Sequence, residues 1–388
     1  MRAFTGATFD SRLVRPGMLY VALKGEHADG RDFIPQALEK GAAGVIEGRE
    51  ALAEAAREYR RTLKAKVIGV TGSAGKTTVK ELTAKFLSTV GPTYATQGNY
   101  NNDIGLPITI LNCPRDAGFL VVEMGTNHPG EIRRLVEIAE PDAGVISSIG
   151  TAHIEFFKTQ DGIAAEKGEL FRAVKDFAVV SRENARYEAL CAMSAASVTT
   201  TSKDDAESAA LREALRDVLP GEHNVSNARL AFAVAHAYGA KLEDCLRALE
   251  GFRLPGHRWE VTERDGVTFV NDAYNANPDS MLAALGAFVG IYGASRGTPP
   301  RRLVAVLGDM FELGSASDEM HRKVFDRAAE LGIDVVIGVG EASSRCRCTR
   351  AYPTSEALCA EFRALLAPGD AVLLKASRGM RLEKLLAN

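Results

Sequence analysis

The sequence predicts an α/β protein of three domains in which parallel sheets are covered by helices. Three observations predict it. Short apolar or β-branched runs alternate with longer amphipathic stretches, the alternation occurs in two separate blocks, and a Gly-rich turn joins a buried strand directly to a helix. Strand–helix alternation builds parallel sheets because each parallel pairing needs a crossover connection. In the first block VIGV (67–70) precedes a helical pattern from Lys76, FLVVEMG (119–125) precedes EIRRLVEIAE (131–140), and AGVISSIG (143–150) follows. The second block repeats the rhythm with RLVAVLGDM (302–310), DVVIGVG (334–340) and DAVLLKAS (370–377).

Between the blocks, residues 221–251 read as two helices broken at Gly239 and Ala240, and LPGHRW (254–259) supplies a Pro-Gly hinge. A further boundary falls near RRTLKAK (60–66). The expected domains are a small leading α/β domain (1–64), a central doubly wound domain (65–254) and a C-terminal Rossmann-like domain (255–388). The polar stretch 191–215, with SVTTTSKDDAES, reads as a loop excursion.

The 388 residues are 46% hydrophobic and 25% charged with a formal net charge of -3, an ordinary globular composition. No basic excess marks a nucleic-acid partner or an anionic membrane surface. No apolar run approaches the roughly 20 residues needed to span a bilayer. The start, MRAFTGATFDSR, lacks the apolar stretch of a signal peptide. The six cysteines, Cys113, Cys191, Cys245, Cys346, Cys348 and Cys359, form no CxxC pair. They read as reduced thiols of a cytoplasmic enzyme with no membrane insertion.

VIGVTGSAGKTTVKELTAKFL places a buried strand, a Gly-rich turn and a helix in immediate succession. Gly72 and Gly75 let backbone N–H groups turn inward around phosphate oxygens, and the helix adds the positive end of its dipole. Ser73 lies in the same turn. Lys76 is placed to reach terminal phosphates, and the Thr77 hydroxyl, followed by Thr78, to ligate Mg²⁺. The strict GxxxxGK[ST] pattern fails at one position, where Val70 replaces the first glycine. A plain strand–helix turn is the alternative, and no NKxD-type stretch suggests a GTPase. Glu123 ends FLVVEMG, in a strand expected beside that of the phosphate loop, and a carboxylate there is suited to Mg²⁺.

TGSAGKTT (71–78), TQGNYNNDIGLP (96–107), VVEMGTNHPGEI (121–132) and IGTAHIEFF (149–157) together resemble the Mur ligase family. GEHNVSNA (221–228), GHRWE (256–260), NDAYNANPDSM (271–281), VLGDMFELG (306–314) and LLKASRGM (373–380) continue the likeness in the same order. The resemblance implies an ATP-dependent amide ligase of peptidoglycan biosynthesis. A carboxylate of a UDP-N-acetylmuramoyl peptide is converted to an acyl phosphate, which an amine then attacks. YNANP followed by LGDMFELG resembles the member that adds D-alanyl-D-alanine to UDP-N-acetylmuramoyl-tripeptide. The three domains would then bind the uridine diphosphate, ATP and the incoming dipeptide, in a monomer.

The resemblance also implies roles for single residues. Lys76, Glu123, His153 and Lys167 become the candidate catalytic set. Two magnesium ions would be held by Thr77, Glu123, His153 and Lys167, although imidazole is an unusual ligand for so hard an ion. Lys167, in a helix read as capped by Asp161, matches a lysine carbamylated by CO₂. The carbamate would supply oxygen ligands, and forming it requires a lowered lysine pKa. Asn227 and Arg258 match contacts to ATP, and Asp272 a contact to its adenosine or ribose. Asn275 and Asn277 in YNANP, with Ser377 and Arg378 in KASRGM, are candidates for the dipeptide, although Asn also favours turns before Pro. Ser11, Arg12 and His27 match the uridine-diphosphate domain. The alternatives are another Mur-type ligase, a folylpolyglutamate synthase-like amide ligase, a silent nucleotide-binding protein, or an NTPase coupled to motion.

Overall fold

The computed structural model describes residues 4–26, 28–293 and 301–387. His27 therefore lies outside the described residues. The chain divides into two compact units, one of Met1–Ile149, Ala164–Asp205 and Asn227–Ala248, the other of Gly150–Ile163, Ala206–Ser226 and Leu249–Asn388.

The first unit carries two sheets. The smaller is parallel in the order of the chain: β1 (Ala7–Thr8), β2 (Leu19–Ala22) and β3 (Gly44–Glu47). The helix Arg49–Thr62 buries Leu52, Ala53, Ala56 and Tyr59 along one stripe, the i, i+4, i+7 spacing of an amphipathic helix. That stripe packs on the helices Gly105–Leu111 and Glu131–Ala139. Arg60 is buried beside it and donates to Ala139 O at 2.8 Å and Asp142 Oδ2 at 2.9 Å. Its guanidinium thus satisfies a carbonyl at the end of a neighbouring helix, where the dipole favours a cation.

The larger sheet has β4 (Lys66–Thr71), β5 (Thr93–Ala95), β6 (Phe119–Glu123), β7 (Ala143–Ile146), β8 (Phe177–Ser181) and β9 (Ser197–Thr201). Its order is β5-β6-β4-β7-β8-β9, and every pairing is parallel. β6, β7 and β8 are buried along their whole length, as expected of strands covered on both faces. Strand β4 lies between β6 and β7, where successive crossovers leave for opposite edges. In open α/β sheets ligands bind at such a switch point, outside the carboxyl ends of the strands.

Two sequence readings need correction. Residues 191–215 are not a loop excursion but the end of the helix Tyr187–Met193, the edge strand β9 and the helix Glu207–Leu215. β9 alternates exposed and half-buried positions. Threonine suits such a pleat while remaining polar, so polarity concealed the strand. The helix carrying Lys167 spans Gln160–Ala173, with Asp161 already inside its first turn. Its cap is Thr159, whose Oγ1 accepts from Gly162 N–H at 3.0 Å.

The second unit holds β10 (Glu260–Arg264), β11 (Val267–Asn271), β12 (Leu303–Gly308), β13 (Val335–Val339), β14 (Arg350–Tyr352) and β15 (Ala371–Lys375). The order is β10-β11-β15-β12-β13-β14, with only β10 antiparallel to its neighbour. Its core includes Phe269, Val304, Val306, Ile337, Val372 and Leu374. Because β15 inserts between β11 and β12, the motifs NDAYNANP, DMFELG and KASRGM all leave the carboxyl end of one sheet. Among the described residues no helix is long and apolar enough to cross a membrane.

Candidate active site

The phosphate loop leaves β4 at the switch point. Gly72 has φ +152° and Gly75 φ +81°, backbone states that side chains rarely adopt. Space forbids a side chain as firmly, since a Cβ on Gly72 would lie 1.9 Å from Ser147 Oγ and one on Gly75 2.6 Å from Asn227 Oδ1. The loop is tied to the end of β7: Ser73 N–H donates to Ser148 O at 2.9 Å, and Ala74 N–H to Ser148 Oγ at 2.9 Å. The helix Lys76–Leu87 starts directly after it, and Lys76 Nζ folds back to donate to Gly72 O at 2.9 Å. Thr77 and Thr78 fill the first turn of that helix.

Glu123 stands at the carboxyl end of β6, beside Val70 of β4. Its Oε2 accepts from Thr77 Oγ1 at 2.8 Å and its Oε1 from Asn101 Nδ2 at 2.7 Å. Its own N–H donates to Thr96 Oγ1 at 3.0 Å, and the Thr96 carbonyl accepts from the fully buried Lys80 at 2.7 Å. The carboxylate and the threonine hydroxyl are thus held facing each other, two oxygen donors suited to a hard cation.

Lys167 is 1% exposed, and its Nζ has no hydrogen-bond partner among the described residues. Burial pushes its pKa well below the usual lysine range and the nearby Lys76 cation pushes the same way, while Glu166 opposes them. Glu166 is already engaged, accepting from Gly130 N–H and Ile132 N–H at 2.8 Å each. The first unit therefore gathers Gly72, Ser73, Gly75, Lys76, Thr77, Thr78, Glu123, Lys167 and Asn227.

His153 belongs to the second unit. It sits at φ 61° just before the short helix Ile154–Phe157, with Nδ1 2.5 Å from Glu312 Oε2. Arg258 lies between two left-handed residues, His257 (φ 33°) and Trp259 (φ 53°). Asp272 Oδ2 accepts from Lys375 Nζ at 2.6 Å, and the same ammonium reaches Asn275 O at 3.1 Å. Asn277 caps the helix Pro278–Tyr292 in a reciprocal box with Ser280. Ser377 is buried, and its hydroxyl accepts from Phe311 N–H at 2.9 Å, tying β15 to the loop after β12. Arg378 is exposed and pairs with Glu383 at 3.2 Å. In the first unit Ser11 donates to Gln36 Oε1 at 2.7 Å, and Asp10 holds the exposed Arg12 at 2.7 Å.

The Mur ligase family, catalytic domain, matches residues 3–86, the Mur ligase middle domain 70–235, and the Mur ligase glutamate ligase domain 257–378. A curated relative from Escherichia coli (strain K12), UDP-N-acetylmuramoyl-tripeptide--D-alanyl-D-alanine ligase, is 32% identical, with 98% of this chain and 92% of that protein covered. The chain belongs to the Mur ligase family. Among solved structures, MurF from Acinetobacter baumannii matches with TM-score 0.84 at 29% identity, covering 98% of this chain and 92% of that one. MurF ligase from Thermotoga maritima, solved in complex with ADP, matches with TM-score 0.83 at 27% identity over 100% and 97% of the two chains. This Mur ligase thus has the three-domain α/β fold expected of it, and it is an enzyme of the ligase class.

Several residues that contact the candidate site residues carried no role in the sequence. Asn101 lies inside a motif quoted for its resemblance, yet no role was read from it. Ser147 and Ser148 were visible as two small hydroxyls ending a buried strand. Lys375 was visible as the one cation closing the apolar run AVLLK. His223 lies inside GEHNVSNA, quoted for its resemblance, yet no role was read from it either. It is half-buried near Asp272 and Lys375, and desolvation above all pushes its imidazole down to about 4.

A base whose folded pKa is lowered contributes stability that is fully present above its unfolded value, 6.5, and lost as pH falls toward about 4. Acid unfolding should therefore steepen across that window. His223→Gln should flatten it by up to about 3 kcal/mol, as read from urea melts at a series of pH values.

Proposed function

We propose that this Mur ligase joins D-alanyl-D-alanine to UDP-N-acetylmuramoyl-tripeptide in the cytoplasm, as a monomer, forming ADP and phosphate from ATP. The observation that carries the acceptor is the likeness over 98% of the chain to the Escherichia coli enzyme of that name. The phosphate loop, Glu123 and the unpaired Lys167 support the activation chemistry. On this reading residues 1–64 bind the uridine diphosphate through Ser11 and Arg12, residues 65–254 bind ATP, and residues 255–388 bind the dipeptide.

The tripeptide carboxylate attacks the γ-phosphorus, and the bond from phosphorus to the ADP oxygen breaks. Lys76, the loop N–H groups and Arg258 offset the charge that builds on the transferred oxygens. The dipeptide amine then attacks the acyl carbon and phosphate leaves, the amine proton passing to solvent or to phosphate. Asn227 lines the loop at Gly75, Asp272 takes the ribose, and Asn275 and Arg378 bind the dipeptide. In this assignment Asn277 and Ser377 hold the turns that carry them.

Magnesium fits the donor set, because Thr77 and Glu123 already face each other and Lys167 is an orphaned buried amine. Thr77, Glu123, a carbamate on Lys167 and His153 would hold two ions. Bound Mg²⁺ would neutralise phosphate charge. Lys167 is suited to carbamylation because CO₂ reacts with the neutral amine that burial favours.

One assay tests the reading. Phosphate release is followed with ATP, Mg²⁺ and UDP-N-acetylmuramoyl-tripeptide, with D-alanyl-D-alanine, diaminopimelate or glutamate as the amine. Release stimulated by the dipeptide alone is the expected result. Equal release without any amine, or stimulation by glutamate instead, overturns it.

A further inference from the structure

In the second unit two arginines share one aromatic ring. The Arg258 guanidinium carbon lies 3.6 Å from the centre of the Tyr274 ring, and that of Arg378 lies 5.7 Å from the same centre. Both fall within the roughly 6 Å at which a ring quadrupole attracts a cation. The arginines come from distant parts of the sequence, one before β10 and one after β15, and the ring from the turn after β11. We propose that Tyr274 is a positioning residue for both, presenting Arg258 to the transferred phosphoryl group and Arg378 to the carboxylate of the incoming dipeptide. The inference rests on the ligase reading and adds a residue to it.

The surroundings make the ring a fixed platform. Tyr274 N–H donates to His257 O at 3.2 Å, so the turn and the strand entry that carries Arg258 are joined at the backbone. Lys375 holds the turn from the other side through Asp272 and Asn275 O. Tyr274 is only half-buried, so filling the core does not account for its ring.

A free arginine gives up much rotamer freedom when it clamps an anion. A guanidinium lying on a ring has already lost that freedom, and its N–H donors remain directed outward in its own plane. Two cations against one ring also repel each other. Binding an anion to either relieves that repulsion, so the platform favours the state in which both substrates are present.

The test uses the full chain and steady-state kinetics with each substrate varied in turn. Tyr274→Ala should raise KM for ATP and for D-alanyl-D-alanine, each roughly 3–10-fold, the loss of one cation–π contact at each arginine. KM for the UDP-linked tripeptide should not move. Tyr274→Phe keeps the ring and should restore both values to within about twofold. The idea is overturned if Tyr274→Ala leaves both KM values unchanged, if Phe is as poor as Ala, or if all three KM values rise together with a fall in melting temperature. Arg378→Ala separates the two levels of the argument. If it leaves the dipeptide KM unchanged, the reading of the acceptor site fails. If it raises that KM while Tyr274→Ala does not, only the role of the ring fails.

Discussion

Lys76→Ala is expected to abolish dipeptide-dependent phosphate release, lowering kcat by roughly 10²–10³-fold or more, while the melting temperature stays near that of the parent. Lys76 Nζ donates to Gly72 O at 2.9 Å, at the mouth of the switch point. Lys80, four residues on, is fully buried and donates to Thr96 O at 2.7 Å, so its loss would disturb the core. The glycines, by contrast, are fixed by backbone geometry, so altering them would confuse folding with function. Lys76→Ala separates the two, and phosphate release with a thermal melt reads both. Residual activity within tenfold of the parent would remove Lys76 from the phosphoryl-transfer step.

Lys167→Met is expected to act in opposite directions on stability and activity. The lysine is buried, its amine is unpaired among the described residues, and its pKa is pushed well below 10.5 by burial first and Lys76 second. Folding therefore disfavours the protonated amine that the unfolded chain carries. The sign follows: stability attached to this lysine is fully present above pH 10.5 and falls as pH drops toward its lowered folded value. Methionine has similar length and no proton to lose. The variant should be more stable than the parent at pH 7, with the difference shrinking as pH rises toward 10, while turnover disappears. Urea melts at pH 7, 8.5 and 10 beside the phosphate assay test it. A variant that is destabilised at pH 7, or that retains turnover, contradicts the assignment. Mass spectrometry of gently handled protein in bicarbonate tests the carbamate separately, since bare lysine throughout would remove it.

The parts of this molecule that were legible in the sequence are those where one physical demand dominates. Continuous apolar runs such as FLVVE announce strands buried on both faces, and the Gly-rich turn before Lys76 announces a backbone that must bend around an anion. Glu123 was legible because a carboxylate ending a buried strand has few structural reasons to be there. β9 was not legible, since its threonines satisfy a half-exposed edge without an apolar signature. Nor were Asn101, Ser148 and Lys375, whose partners are distant in sequence: Asn101 meets Glu123, Ser148 meets the phosphate loop, and Lys375 meets Asp272. Periodicity reports only which face of an element is buried. It carries no information about which two loops a sheet order brings side by side.

The second unit is assembled from three separated stretches, Gly150–Ile163, Ala206–Ser226 and Leu249–Asn388. During synthesis this has a temporal consequence. The segment bearing His153 leaves the ribosome long before Glu312 exists to meet it, and β15 must emerge before the last sheet has its middle strand. The first unit likewise waits for the helices up to Ala248. At roughly 5–20 residues per second, the early stretches of the second unit spend on the order of ten seconds or more without their partners. The apolar side chains they carry must stay out of trouble for that time, which makes this a chain whose yield would respond to translation speed and to holding chaperones.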